Sequence, residues 1–188
     1  LAAAGITATI KEITSAVYDL TDTYSNEEKI IVNATGATGD ALDSLGASML
    51  KAYSGNDDAL DAVAGAVGEI NTDCYTGDTL SEVTGEFLDF ADITGQDVVG
   101  SVQLVTKVMN KWGEDSSKLP NVLDDLAYAG QISGLSVTTL SNTLITGASS
   151  LQEMGLSLEN AIGSGKMELY GVEGTSTITA MRTAVKNF

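Results

Sequence analysis

Apolar residues recur every three or four positions along almost the whole chain. An α-helix turns once in 3.6 residues, so this spacing places them on one face of a helix. Strict apolar–polar alternation is rare, so the pattern predicts an all-α fold. The stripes include Ile6, Ile10, Ile13 and Val17 early in the chain, Leu60, Val63, Val67 and Ile70 further on, and Ile178, Met181, Val185 and Phe188 at its end.

The stripes are interrupted by seven copies of the pattern Gly-x-(Asp/Ser/Thr). Glycine accepts the left-handed backbone that closes a helix, and the polar residue can accept hydrogen bonds from the free amides of the next helix. Each copy therefore predicts a joint between two helices. The seven joint glycines, spaced 18 to 22 residues apart, are Gly36, Gly55, Gly77, Gly95, Gly113, Gly134 and Gly155.

Together these patterns predict an array of about ten short amphipathic helices. Short turns favour contact between consecutive antiparallel helices, and the regular rhythm suggests a solenoid. The segments share only their turn chemistry, so no duplicated module is predicted. The predicted helices are 2–24, 26–35, 39–53, 57–74, 79–94, 97–112, 117–132, 136–154, 157–170 and 175–188, with ends placed to within about 2–4 residues.

Two regions are predicted along the chain. Residues 1–56 would form N-terminal helices that lead into a helical core at 57–188. The chain begins with Leu1 rather than Met, so we expect it to be a segment of a longer or processed polypeptide. No signal-peptide pattern is visible at its start.

The charge balance narrows the range of partners. The chain has 26 acidic and 9 basic residues, and its first 100 residues hold 18 of the acids but only three lysines. A nucleic-acid-binding surface needs basic contacts, so no specific nucleic-acid binding is predicted. The acidity either keeps the protein soluble or forms a face that meets a basic partner or lines a tube through which DNA passes.

The residue types do not favour an enzyme. The chain has no His and a single Cys, Cys74, so the usual general base, the commonest zinc ligand and an internal disulfide are missing. The adjacent acids Asp124 and Asp125 would point about 100° apart on a helix. We therefore predict no catalytic residue, no metal and no cofactor.

Two further segments bear on function. Residues 126–152 form an uncharged segment that is long enough to span a membrane. However, twelve of its 27 residues are Ser, Thr, Asn or Gln, which disfavour insertion. We expect two separate helices there. In the small-residue stretch 64–68, Ala64, Gly65 and Gly68 would let another helix approach closely, from this chain or from a second copy.

Several stretches, in their order along the chain, resemble the core (minor tail protein) region of phage tail tape-measure proteins. They cover roughly residues 57–170, and none is diagnostic alone. In chain order these stretches are 62–72, 76–80, 87–98, Lys111-Trp112-Gly113, Leu123-Asp124-Asp125-Leu126, Gly134-Leu135-Ser136 and Met154-Gly155-Leu156-Ser157.

This resemblance implies a helical virion protein of the tail lumen or tip that is present in the host cytoplasm during assembly. Members of the family set tail length and are thought to help DNA cross the host envelope. The implied partners are tail-tip, baseplate and tail-tube proteins, further copies of the chain (often taken as a trimer), and the host membrane on infection. The family supplies no catalytic residue for this segment.

Two alternatives stay open at this point. The apolar segment 1–17 and the uncharged region 126–152 would suit a membrane-active helical protein. A carboxylate-dependent peptidoglycan hydrolase would need clustered Asp or Glu side chains in a pocket with a raised pKa.

Overall fold

A computed structural model describes residues 24–54, 59–72 and 75–164. Within these ranges the chain forms eight α-helices and no strand. The helices are α1 (24–35), α2 (Asp40–Tyr53), α3 (Leu60–Thr72), α4 (Gly77–Thr94), α5 (Val98–Trp112), α6 (Leu119–Ser133), α7 (Val137–Glu153) and α8 (Leu158–Ser164), with a short 3-10 helix at Ser116–Lys118. The predicted all-α class is confirmed.

The eight helices correspond to the middle eight of the ten predicted ones. Residues 24 and 25 both belong to α1. Because helix ends are predicted only to within about 2–4 residues and residues 1–23 are not described, the break near residue 25 stays a prediction. The predicted segment 175–188 and residues 2–23 lie outside the described residues, and the total of about ten helices stays a prediction.

The chain divides into two compact units, an N-terminal unit (Leu1–Thr84) and a C-terminal unit (Gly85–Phe188). The boundary between them falls inside α4. Residues 55–58 lie outside the described part of the chain, and the predicted division at residue 56 stays a prediction.

In the N-terminal unit, α2 packs on α3 through their apolar stripes. Residues three or four apart share a helix face, so the stripe side chains meet in one core. Burying a Val, Leu or Ile side chain stabilises the fold by about 1.5–3 kcal/mol. The fully or almost fully buried core side chains of this unit include Ile31, Met49, Val63, Val67, Ile70 and Leu80.

In the C-terminal unit, the most extensive helix contact joins α5 to α7, while α6 packs on α7 and α8. The second residue of α6 is Pro120, where the missing N–H leaves no helical hydrogen bond unmade. The most deeply buried side chains include Phe87, Leu88, Val102, Val105, Val108, Leu126 and Leu158.

Helices α5 and α7 run in the same direction. Near their first residues, Thr138 Oγ1 donates to Gln96 Oε1 at 2.7 Å, and near their last residues Gln152 Nε2 donates to the Lys111 carbonyl oxygen at 3.3 Å. The sequence predicts contact between consecutive antiparallel helices, whereas the main neighbour of α5 is a parallel helix two places further along. Pairing with the next-but-one helix is typical of helical solenoids.

Candidate helix-packing site

Four consecutive joints of the C-terminal unit combine a left-handed glycine with a polar cap. The glycines Gly95, Gly113, Gly134 and Gly155 have φ values of 66°, 68°, 71° and 77°. In each joint the polar residue two positions later accepts a hydrogen bond from a backbone amide of the helix that follows. The pairs are Asp97 with Gly100 N at 2.6 Å, Asp115 with Ser117 N at 2.9 Å, Ser136 with Thr139 N at 3.1 Å and Ser157 with Asn160 N at 3.3 Å.

The joints of the N-terminal unit are built differently. Gly36 and Gly77 have φ values of 71° and 60°. However, α2 begins after Gly39, which makes no side-chain cap, and Thr38 therefore does not cap it. Helix α4 begins at Gly77 itself, so Thr79 lies within its first turn. The predicted caps at Thr38 and Thr79 are wrong.

The remaining joint glycine, Gly55, lies outside the described residues.

The small-residue stretch of α3 faces α1 of the same chain at one position. A Cβ added at Gly68 would lie 2.8 Å from Ala34 Cβ and 3.8 Å from Ile31 Cα. Ala64 is fully buried, and Gly65 is half-buried. Gly68 therefore lets two helix backbones approach more closely than any side chain would allow.

Gly46 is a second close approach, which sequence reasoning missed. A Cβ added there would lie 2.5 Å from the Tyr24 hydroxyl oxygen, so the ring of Tyr24 needs the space above this glycine. Burial, followed by the nearby carboxylates of Glu28 and Asp43, raises the pKa of Tyr24. The sequence feature that could have indicated this close approach is the position of Gly46 after Leu42 and Leu45 in an apolar stripe.

Trp112 joins α5 to α7 by a buried hydrogen bond. Its indole N–H donates to the Leu144 carbonyl oxygen at 3.1 Å, and the side chain is 8% exposed. The sequence suggests core packing or a helix-end anchor for Trp112, with ligand stacking as the alternative. A buried indole that already has its hydrogen-bond acceptor serves to fix the two helices together.

Residues 40–188 match the profile of the phage-related minor tail protein family. The chain belongs to this family. The match includes seven of the eight described helices, and the joints and helix contacts of the C-terminal unit all fall within it. No curated protein and no solved structure matches the chain significantly.

The family is one of phage tail proteins, and the recognition of a phage tail protein from sequence is confirmed. The described helices supply a packed scaffold for such a role. Some of their polar side chains cap helix ends or join neighbouring helices, as Asp97 and Thr138 do.

A groove of about 430 Å³ lies between α6 and α8 in the C-terminal unit. The adjacent acids Asp124 and Asp125 both line it, as do Glu114 and Glu159. Lys118 Nζ lies 2.7 Å from Glu114 Oε2, so this pair neutralises one side of the groove. Sequence spacing alone does not predict that these four acids share a surface.

The described ranges contain no group of three or more Cys, Asp or Glu residues placed to hold a metal ion. In the same ranges, no helix has the length and apolar character that a membrane crossing requires. The uncharged region 126–152 is divided between α6 and α7 at Gly134, as the sequence predicts.

Proposed function

We propose that this member of the phage-related minor tail protein family is a structural and interaction module of a tail tape-measure protein. In this proposal it takes part in tail assembly, in setting tail length and in delivering DNA. Its place is the lumen or tip of the tail, after assembly in the host cytoplasm. The proposed partners are tail-tip, baseplate and tail-tube proteins and further copies of the chain, with a trimer as the working stoichiometry.

The observation that carries this proposal is the family match over a close-packed array of capped helices. In the C-terminal unit, left-handed glycines and side-chain caps mark the helix joints, and α5 and α7 are joined at both ends and by Trp112. These contacts hold neighbouring helices of the C-terminal unit against one another. A rigid helical array of fixed length suits a part that must hold a constant geometry during tail assembly.

The acidic character of the first 100 residues supports a position in which the protein lies beside DNA without binding it. Like charges repel, so an acidic face would let DNA pass without sticking. Contact with the host membrane during infection would then be made through other surfaces or by other proteins.

The proposal is tested in a phage whose genome encodes the chain. Residues 85–164 are deleted in frame, and particles are counted and measured by negative-stain electron microscopy. We expect tailless heads or tails of altered length. A matched variant, Ser149→Ala, changes an exposed side chain of α7 and should give normal tails.

Normal, infectious tails in the deletion strain would overturn the proposal. Two further assays separate it from the alternatives. Release of a dye from liposomes by the purified chain would favour a membrane-active protein, and release of soluble fragments from peptidoglycan would favour a hydrolase.

A further inference from the structure

Glu27 is a buried carboxylate on the face of α1 that packs against α3. Its side chain is 6% exposed, and Oε2 has no hydrogen-bond partner among the described residues. One turn later on the same face, Ile31 is fully buried beside Gly68. Burying a carboxylate without hydrogen bonds is unfavourable, so Glu27 opposes the packing that its neighbour Ile31 stabilises.

The charge that acts on Glu27 is also acidic, and two further acids lie around the neighbouring Tyr24. Asp61, in the first turn of α3, faces it and adds electrostatic repulsion. On α1 itself the next residue is Glu28, which interacts with Tyr24. On α2, Asp43 lies near the same tyrosine hydroxyl.

The two lysines in the described part of the N-terminal unit each bond to a side chain other than Glu27. Lys29 Nζ donates to Asn26 Oδ1 at 3.1 Å on the exposed side of α1. Lys51 Nζ lies 2.7 Å from Asp78 Oδ1. Neither lysine therefore neutralises Glu27.

We propose that Glu27 is a proton-sensitive switch that strengthens the packing of α1 on α3 when it is protonated and weakens it when it is ionised. This proposal does not depend on the proposed function. Burial, and after it the charge of Asp61, raises the pKa of Glu27. Packed α1 therefore binds this proton more readily than released α1 does.

The sign of the pH effect follows from this difference. Packing of α1 is strongest below the ordinary pKa of a glutamate, where both states are protonated. It weakens as the pH rises through the window between that value and the raised pKa of packed Glu27. Above the window the ionised carboxylate opposes packing in full.

Hydrogen exchange of the α1 amides, measured by mass spectrometry near neutral pH and near pH 5, tests the switch. Glu27→Gln removes the carboxylate charge but keeps a polar amide. Glu27→Met removes both the charge and the polar group. We expect both variants to slow exchange in α1 at neutral pH, roughly tenfold for each unit by which the pKa is raised. The difference from the native chain should shrink near pH 5.

The matched control is Glu82→Gln, the same substitution at an exposed position of α4. It should leave exchange in α1 unchanged at both pH values. The proposal is overturned if the two Glu27 variants exchange as fast as the native chain, or faster, at neutral pH. An NMR titration of the native chain that places the pKa of Glu27 at or below the ordinary value of a glutamate would also overturn it, whether or not the variants fold.

Discussion

The indole N–H of Trp112 donates to the carbonyl oxygen of Leu144 across the buried contact between α5 and α7. Leu144 lies in the middle of α7, where its carbonyl oxygen can also accept the usual helical bond, since it has two lone pairs. The hydrogen bond therefore adds a link between the helices without breaking the helix that accepts it.

This link predicts the effect of two substitutions at Trp112. Trp112→Phe keeps an aromatic ring and removes the donor, and it should lower the free energy of unfolding by about 1 kcal/mol. Trp112→Ala also leaves a cavity and should lower it by about 3–5 kcal/mol. Urea unfolding followed by circular dichroism measures both, and equal stability of Trp112→Phe and the native chain would contradict the role of the hydrogen bond.

Gly68→Ala should destabilise the N-terminal unit by about 1–2 kcal/mol. The new Cβ would lie 2.8 Å from Ala34 Cβ, and the overpacking outweighs the gain in helix propensity. A matched control is Gly163→Ala in α8, where an added Cβ meets nothing within 4 Å. That variant should be neutral or more stable by up to about 1 kcal/mol.

Combined with Ala34→Gly, Gly68→Ala should cost less than the sum of the two single losses, because Ala34→Gly lowers helix propensity but removes the atom that the new Cβ meets. Thermal unfolding of the single and double variants measures this coupling. Strictly additive effects would show that the two positions do not touch.

Capping predicts a contrast between two residues at the same position of the joint pattern. Asp97→Ala removes the acceptor of the Gly100 amide and should lower stability by about 1 kcal/mol. Thr38→Ala should change stability little, because Gly39 rather than Thr38 precedes α2. Similar losses in both variants, measured by urea unfolding, would contradict the different construction of these joints.

The exposed pair Lys51–Asp78 predicts a pH effect of defined sign. The hydrogen bond and charge of Lys51 lower the pKa of Asp78. The pair therefore contributes stability above the ordinary pKa of an aspartate and loses it as the pH falls through the lowered value. In Lys51→Ala, an NMR titration should show the pKa of Asp78 rising towards the ordinary value, whereas Lys107→Ala should not move it.

Much of the fold was predictable because its signals are local. Apolar spacing depends on the helix repeat, and the left-handed glycines depend only on the residues that surround each turn. The caps at Asp97 and Ser136 formed as the pattern predicts. At Gly36 the same Gly-x-(Asp/Ser/Thr) pattern forms a different joint, because Gly39 is a second glycine, after which α2 begins.

The helix pairings were not predictable in the same way. The partner of Trp112 lies 32 residues away, and nothing in the residues around Leu144 marks its carbonyl oxygen as an acceptor. The contact between Gly68 and Ala34 likewise depends on which helix packs against α3. Such choices are made by the packing of the whole unit, whereas sequence periodicity reports only which face of each helix is apolar.

Parallel packing of α5 and α7 is the arrangement on which the helical scaffold depends, and distances between spin labels measure it directly. Labels are attached to cysteines at residues 96 and 138 in one sample and at 111 and 152 in another, after Cys74 is replaced by serine. Parallel helices predict short distances in both samples. Separations longer by about 20 Å, the length of a helix of this size, in either sample would contradict it, and antiparallel helices would give them in both.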